Sequence, residues 1–194
     1  TDNIEDADKI RKWSTQSREN VAWYEHREIG YNYRMSNVIA GVVRGQLPYL
    51  EEHIAKKKAI YERYKNGLKD LPVSMNPYIF DIMEPNFWLS CILIDKEAMC
   101  KQIRGDNTAS YYTESGKSCP DEIFETLEKY NVQSRPIWKP MHLQPLYRTH
   151  GFVTREGKDV GADIFQRGLC LPSDIKMTAE EQDIIIQIIR SCFE

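Results

Sequence analysis

Two stretches of this 194-residue chain concentrate side chains suited to holding an anion. The first is Gly30-Tyr31-Asn32-Tyr33-Arg34-Met35-Ser36-Asn37. Ser36 is a good helix N-cap, and the start of a helix, with its unpaired N–H groups and dipole, favours negative charge. Asn32 can donate to a phosphate oxygen, and Arg34 can grip one through its planar fork. The competing reading is a hydrogen-bonded loop that only caps the helix, with Arg34 in a salt bridge. The second stretch is Ser134-Arg135-Pro136-Ile137-Trp138-Lys139-Pro140-Met141-His142-Leu143-Gln144-Pro145-Leu146-Tyr147. Its three prolines fix the backbone at low entropic cost. Arg135, Lys139 and His142 are then presented from a stiff loop beside Trp138 and Tyr147. Stiff loops with cations and aromatics suit an anionic ligand that also has a flat or apolar part, as a sugar diphosphate joined to a base does. The alternative is a proline-braced surface loop with Trp138 in the core.

Other chemistries find little support. The chain has no Walker loop, no G-x-G-x-x-G, no H-E-x-x-H and no G-x-S-x-G. His142 and His150 are eight residues apart, which is no helical metal spacing, so no metal site is expected. Cys91, Cys100, Cys119, Cys170 and Cys192 are odd in number and widely spread. Free, mostly buried thiols in a reducing cytoplasm are expected, rather than a disulfide scaffold or a zinc site. The 26 basic and 29 acidic residues leave a net charge of −3, which argues against a dedicated nucleic-acid binder. No apolar run approaches the ~20 residues of a membrane helix. Thr1-Asp2-Asn3 has neither an initiator Met nor signal-peptide anatomy, and the missing Met hints at a piece of a longer protein.

The elements that position the two stretches can be read from periodicity. A helix is expected over 5–17, with Ile10 and Trp13 on one face. Residues 18–35 show no clear period. From Ser36, the positions Ile39, Val43, Leu47, Leu50, Ile54, Tyr61, Tyr64, Leu68 and Leu71 trace one apolar helix face. Pro48 should kink or divide it. Glu51 to Lys58 reads as a solvated flank, with Glu52 and Lys56 in the favourable i, i+4 order. Phe87 to Ile94 reads as a strand covered on both sides, and 104–119 as a mobile loop. A helix from Pro120 should bury Ile123, Phe124, Leu127 and Tyr130. Val132 to Ile137 suits a second strand, Asp163 to Gly168 a short helical turn, and Cys170 to Pro172 a third strand. Thr178 and Glu181 form a capping box for a last helix whose buried face is Ile184, Ile185, Ile188, Ile189 and Cys192. The order suggests an α+β fold, a small and mainly antiparallel sheet covered by helices.

At the two stretches the chain resembles the C-terminal part of sugar-nucleotide aminotransferases of the DegT/StrS family, pyridoxal-phosphate enzymes of fold type I. Gly30 to Asn37 is similar to the family's G-x-N-x-R-M-S segment, and Ser36 to Leu50 resembles the helix that follows it. Arg135 to Pro145 is similar to the R-P-x-W-K-P-M-H-x-Q-P form found in the branch acting on UDP-linked 4-keto-6-deoxy amino sugars, as in bacillosamine-type pathways. Arg167 to Ser173 and the capped last helix resemble the family's close.

The resemblance implies a division of labour. Residues 1–35 would be a remnant of the large cofactor-binding domain, and 36–194 the C-terminal small domain. Family members work as homodimers with sites at the subunit interface. Asn32, with Arg34 nearby, would contact the phosphate of pyridoxal 5'-phosphate in the partner's site. Arg135, Lys139 and His142 would lie close to a UDP-linked keto sugar. The family's Schiff-base lysine lies upstream of the segment matching Thr1, so no catalytic residue is expected here and the chain alone should be inactive. The intact enzyme would move an amino group, with glutamate as donor, to C4 of the sugar. Two alternatives are a pyridoxal-phosphate sugar dehydratase on the same scaffold and a non-catalytic dimerisation or sugar-nucleotide-binding module. From the thiols, the net charge and the lack of a long apolar run, a cytoplasmic location with neither nucleic-acid nor membrane partners is expected.

Overall fold

A computed structural model describes residues 1–194 except Phe80, Asp106 and Asn107. The chain forms two compact units, Thr1–Leu50 and Glu51–Glu194.

The first unit holds α1 (Ile4–Ser14) and α2 (Asn37–Gln46), followed by a 3-10 turn at Leu47–Tyr49. The Asn3 side chain caps α1 by accepting from the Glu5 N–H. At the other end, the Tyr31 N–H donates to the Trp13 carbonyl at 2.7 Å and the Tyr33 N–H to the Ser14 carbonyl at 3.1 Å. Carbonyls left over at a helix end are thus satisfied by the returning segment. The reversal runs through Gln16 and Ser17, both with positive φ (67° and 51°). Gly30 is required where the segment returns. A Cβ there would lie 2.2 Å from the Gln16 carbonyl carbon and the Ser17 nitrogen. Periodicity carries no trace of this strap, because its bonds are made by the backbone. Ile10 and Trp13, expected on a buried face, are exposed. The Trp13 indole instead donates to Glu28.

Ser36 caps α2 as expected, accepting from the Ile39 N–H. Pro48 divides the helix as expected, and α3 (Leu50–Gly67) follows the 3-10 turn. The long apolar face is only half right. Tyr61, Tyr64 and Leu68 are buried, whereas Ile39, Val43, Leu47 and Leu50 are exposed. Only the later part of the stripe has a sheet to cover within its own unit.

The second unit is built on a four-stranded antiparallel sheet in the order β1-β2-β6-β5. Its strands are β1 (Val73–Met75), β2 (Ser90–Ile94), β5 (Arg135–Pro136) and β6 (Gly168–Leu171). The small, mainly antiparallel α+β fold expected from element order is therefore present. Ile92, Ile94, Leu169 and Leu171 meet Tyr64, Leu68, Ile123, Leu127 and the last helix in one core. β2 begins at Ser90, later than expected, because Phe87 takes φ 52°. β5 is only two residues long, shorter than the 132–137 expected. Pro136 has no N–H for a ladder, and β5 sits at the sheet edge, where proline is tolerated.

A separate hairpin pairs β3 (Lys101–Arg104) with β4 (Ala109–Tyr112). This corrects the loop expected over 104–119, of which Asp106 and Asn107 fall outside the described residues. α4 (Pro120–Lys129) buries Ile123 and Leu127, with Phe124 against the core, but Tyr130 is exposed just beyond its end. α5 (Val160–Arg167) is longer than the turn expected, since Asp159 caps it through the Ala162 N–H. α6 (Ala179–Ser191) carries the full Thr178–Glu181 capping box. Its buried face includes Ile186 in place of the exposed Ile184. Among the described residues, no helix is long and apolar enough to cross a membrane.

Candidate functional site

In-register residues on adjacent strands share a sheet face. Cys91 of β2 stands opposite Cys170 of β6, and Cys170 stands opposite Arg135 of β5. The face away from the core therefore carries the row Cys91, Cys170, Arg135. Over it lies a cavity of about 370 Å³, lined by Trp88, Ser134, Arg135, Trp138, Cys170 and Ser173 among others. The Trp88 and Trp138 rings lie 6.0 Å apart on it. Arg135 is exposed, and its guanidinium makes no hydrogen bond or ion pair among the described residues. The Ser134 hydroxyl is buried, at 4% exposure of the residue, without a hydrogen-bond partner among the described residues. A free guanidinium, an unpaired hydroxyl and two indoles give this cavity the means to hold an anion with a flat or apolar part.

The wall of the cavity is braced from the helix side. Lys57 of α3 donates to the carbonyls of Trp88 (3.2 Å) and Ser173. The flank expected to be wholly solvated thus includes one tethering lysine, while the neighbouring Glu52–Lys56 pair forms as expected at 2.6 Å. Ser173 Oγ bridges the Leu171 carbonyl and the Ser90 N–H.

Lys139 and His142 do not share this cavity with Arg135. They line a second one of about 440 Å³ with Arg104, Arg148 and Phe165. The prolines do not simply present three cations together; the 3-10 turn Met141–Leu143 carries His142 away from Arg135. The His142 ring stacks on Phe152 at 3.5 Å, and its Nε2 lies 2.6 Å from Asp159 Oδ2. The Ala162 N–H and then His142 hold the Asp159 carboxyl below the usual range. On the wall of this cavity, Arg104 forms a bidentate pair with Asp121 (2.6 and 3.0 Å), both side chains almost fully buried, and donates to the Phe165 carbonyl.

In the first unit, Asn32 and Arg34 line one open cavity of about 680 Å³ with Thr15, Arg18, Glu19 and Asn20. Both are exposed, and neither side chain is tied by a hydrogen bond or ion pair among the described residues. The alternative of Arg34 locked in a salt bridge is not what the structure shows. Tyr31 and Tyr33 stack on each other at 5.2 Å.

The sequence assigns no site role to Trp88, Ser134, Cys170 or Asp159, although Ser134 begins the second stretch. Trp88 and Cys170 are brought in by strand pairing over long sequence separation. Asp159 had a local signal, an acidic residue just before the α5 pattern. All five cysteines are free thiols. Sulfurs of Cys100 and Cys119 and a Glu122 carboxylate oxygen lie within 4.8 Å of one another. Burial raises both thiols, Cys100 to about 12.

Comparison with known proteins adds four findings. A sequence model described as the DegT/DnrJ/EryC1/StrS aminotransferase family matches residues 1–190. The Bacillus subtilis (strain 168) protein EpsN, whose name carries the description pyridoxal phosphate-dependent aminotransferase, is 35% identical over 189 residues, 96% of this chain and 43% of its own length. GDP-perosamine synthase of Escherichia coli O157:H7 is 26% identical over 88% of this chain and 40% of its own. A crystal structure of a DegT DnrJ EryC1 StrS aminotransferase from Brucella abortus superposes with a TM-score of 0.73 at 24% identity, covering 98% of this chain and 44% of that one. The chain thus spans less than half the length of these relatives.

Proposed function

This chain belongs to the DegT/DnrJ/EryC1/StrS aminotransferase family, and on that premise we propose that it is the C-terminal part of a pyridoxal-phosphate-dependent sugar-nucleotide aminotransferase. The substrate proposed is a UDP-linked 4-keto-6-deoxy sugar of the bacillosamine type, aminated at C4 with glutamate as donor. A relative named for a GDP-linked amino sugar supports the sugar-nucleotide class. The observation that carries the reading is the cavity where the unpaired Arg135 guanidinium lies beside Trp88 and Trp138. An anionic group meets the guanidinium while a base or sugar face meets the indoles.

Residues 1–35 are assigned to the end of a larger cofactor-binding domain and 36–194 to the small domain. Asn32 and Arg34, free in an open polar cavity, fit a phosphate group as neutral and cationic donors. We assign them to the cofactor phosphate in the partner subunit of a homodimer. Pyridoxal phosphate, when bound, supplies the amine carrier and electron sink of the transfer. This chain's residues bind and orient. Arg135 fixes the anionic end of the substrate, the tryptophans exclude water from its flat part, Lys139 adds a cation on the second cavity, and Asp159 holds His142 in one orientation. The chain alone performs no transfer. A cytoplasmic location fits its five free thiols.

In the full-length enzyme, Arg135→Ala should raise KM for the UDP-keto sugar by ~10- to 100-fold, the loss of one charge-assisted hydrogen bond. Cofactor content should stay unchanged. Asn32→Ala should weaken cofactor retention while sparing the sugar KM. An Arg135→Ala enzyme with wild-type KM would remove the basis of this assignment.

A further inference from the structure

We infer that Cys170 and Cys91 form a peroxide-oxidisable dithiol on the outer face of the sheet, with Cys170 as the attacking thiol and Cys91 as its resolving partner. The two sulfurs lie 3.5 Å apart, between in-register residues of β2 and β6. Both backbone polar groups of Cys91 point away from β6: its N–H donates to Asn76 Oδ1, and its carbonyl accepts from the Asn76 N–H. Cys91 and Cys170 are therefore a non-hydrogen-bonded antiparallel pair, the type whose Cα atoms sit at ~4.5 Å with side chains close together. That spacing lies inside the ~4.4–6.8 Å window a disulfide accepts. The bond can form by side-chain rotation, without moving the strands.

The roles of the two sulfurs differ. The Cys91 S–H donates to Cys170, and Arg135 stands across β6 from Cys170. The donated hydrogen bond and then the Arg135 charge lower the Cys170 thiol, against the effect of burial, while Cys91 is raised. Cys170 is itself 4% exposed but lines the 370 Å³ cavity, and Cys91 beside it is half-buried, so a small oxidant reaches the pair through that cavity. Low-lying, reachable thiolates beside a second cysteine are the ones that oxidise reversibly.

The chemistry balances with one peroxide. The Cys170 thiolate attacks a peroxide oxygen, the O–O bond breaks, and the hydroxide released takes up the thiol proton to leave as water. Cys170 is then a sulfenic acid. Cys91 loses its proton and attacks the Cys170 sulfur; the S–S bond forms as the S–O bond breaks, and the second water leaves. The two thiols give up two electrons and two protons, and the peroxide is reduced to two waters.

The test treats the reduced 194-residue chain with hydrogen peroxide, alkylates the remaining thiols after denaturation, and maps peptides by mass spectrometry. The expected result is a Cys91–Cys170 cross-linked peptide and loss of two of the five thiols. The chain should lose the mass of two hydrogen atoms, and dithiothreitol should reverse the change. Cys100 and Cys119, whose thiols burial raises, should remain alkylatable and serve as the internal reference. In Cys91→Ser, dimedone should label Cys170; in Cys170→Ser, Cys91 should stay a thiol. Oxidation of Cys100 or Cys119 before this pair would overturn the proposal. So would a cross-link found only between two chains, or an unlabelled Cys170 in Cys91→Ser.

Discussion

His142 Nε2 and Asp159 Oδ2 lie 2.6 Å apart, and the other oxygen of the same carboxylate caps α5 through the Ala162 N–H. One side chain thus both starts a helix and fixes the ring of a candidate ligand-binding residue. The two roles can be separated. Asparagine at position 159 keeps a cap acceptor but loses the charge that faces His142, whereas alanine loses both. Asp159→Ala should therefore lower the urea midpoint of this chain measurably more than Asp159→Asn. In the full-length enzyme both variants should disturb whatever His142 contributes. Equal midpoints for the two variants would show that the cap is not what holds α5.

Arg104 and Asp121 present a different kind of pair. Their side chains are 8% and 9% exposed, and the guanidinium also donates to the Phe165 carbonyl. Removing one partner leaves the other charge buried and uncompensated. Arg104→Ala or Asp121→Ala should each cost about 3–5 kcal/mol in denaturant unfolding. The double variant Arg104→Met with Asp121→Leu should lose much less, because no orphaned charge is left behind. A double loss equal to the sum of the single ones would contradict this account.

These pairs also mark where sequence reading stopped. The α6 capping box, the Ser36 cap and the division at Pro48 were legible because each depends on residues within one turn of one another. Cys170 gave no local sign of its place in the site, since Cys91 and Arg135 reach it only through strand pairing. The hairpin at β3 and β4 was missed because Gly105, Asp106 and Asn107 are residue types of low strand propensity, while Arg104–Asp121 and Tyr111–Glu125 contacts hold it in place. Arg135, Lys139 and His142 looked like one constellation in sequence. The 3-10 turn after Pro140 directs them to two cavities.

The first unit should respond to acid at Glu28. Lys9 donates to its carboxylate at 2.5 Å and the Trp13 indole at 3.0 Å, and these bonds pull the carboxyl down to about 2 from an ordinary 4.5. A depressed folded value means that the stabilisation is complete above the ordinary value and is lost as pH falls through the folded one. The strap should therefore hold at pH 5 and weaken between about 4.5 and 2. The Trp13 indole N–H resonance should titrate in that window in the native chain and show no such step in Glu28→Gln. A midpoint near 4.5 would mean that the Lys9 and Trp13 contacts do not persist in solution.

The last helix separates neighbouring isoleucines that sequence alone could not rank. Ile184 is 58% exposed, whereas Ile186 is 4% exposed and its Cδ1 lies where a Cβ on Gly67 would come within 2.6 Å. Both belong to an unbroken Ile184-Ile185-Ile186 run, so periodicity permits either to face inward. The choice is made by α3, where Gly67 at the end of the helix has no Cβ to collide with the Ile186 side chain. Ile186→Ala should empty that contact and cost about 2–4 kcal/mol. Ile184→Ala should stay within ~0.5 kcal/mol of the native chain. Gly67→Ala should be damaging for the same reason that Ile186 is buried, and the damage should be partly relieved by Ile186→Val, which shortens the opposing side chain. Urea denaturation of Gly67→Ala, Ile186→Val and their double variant measures the coupling directly, and strict additivity would place Ile186 away from Gly67.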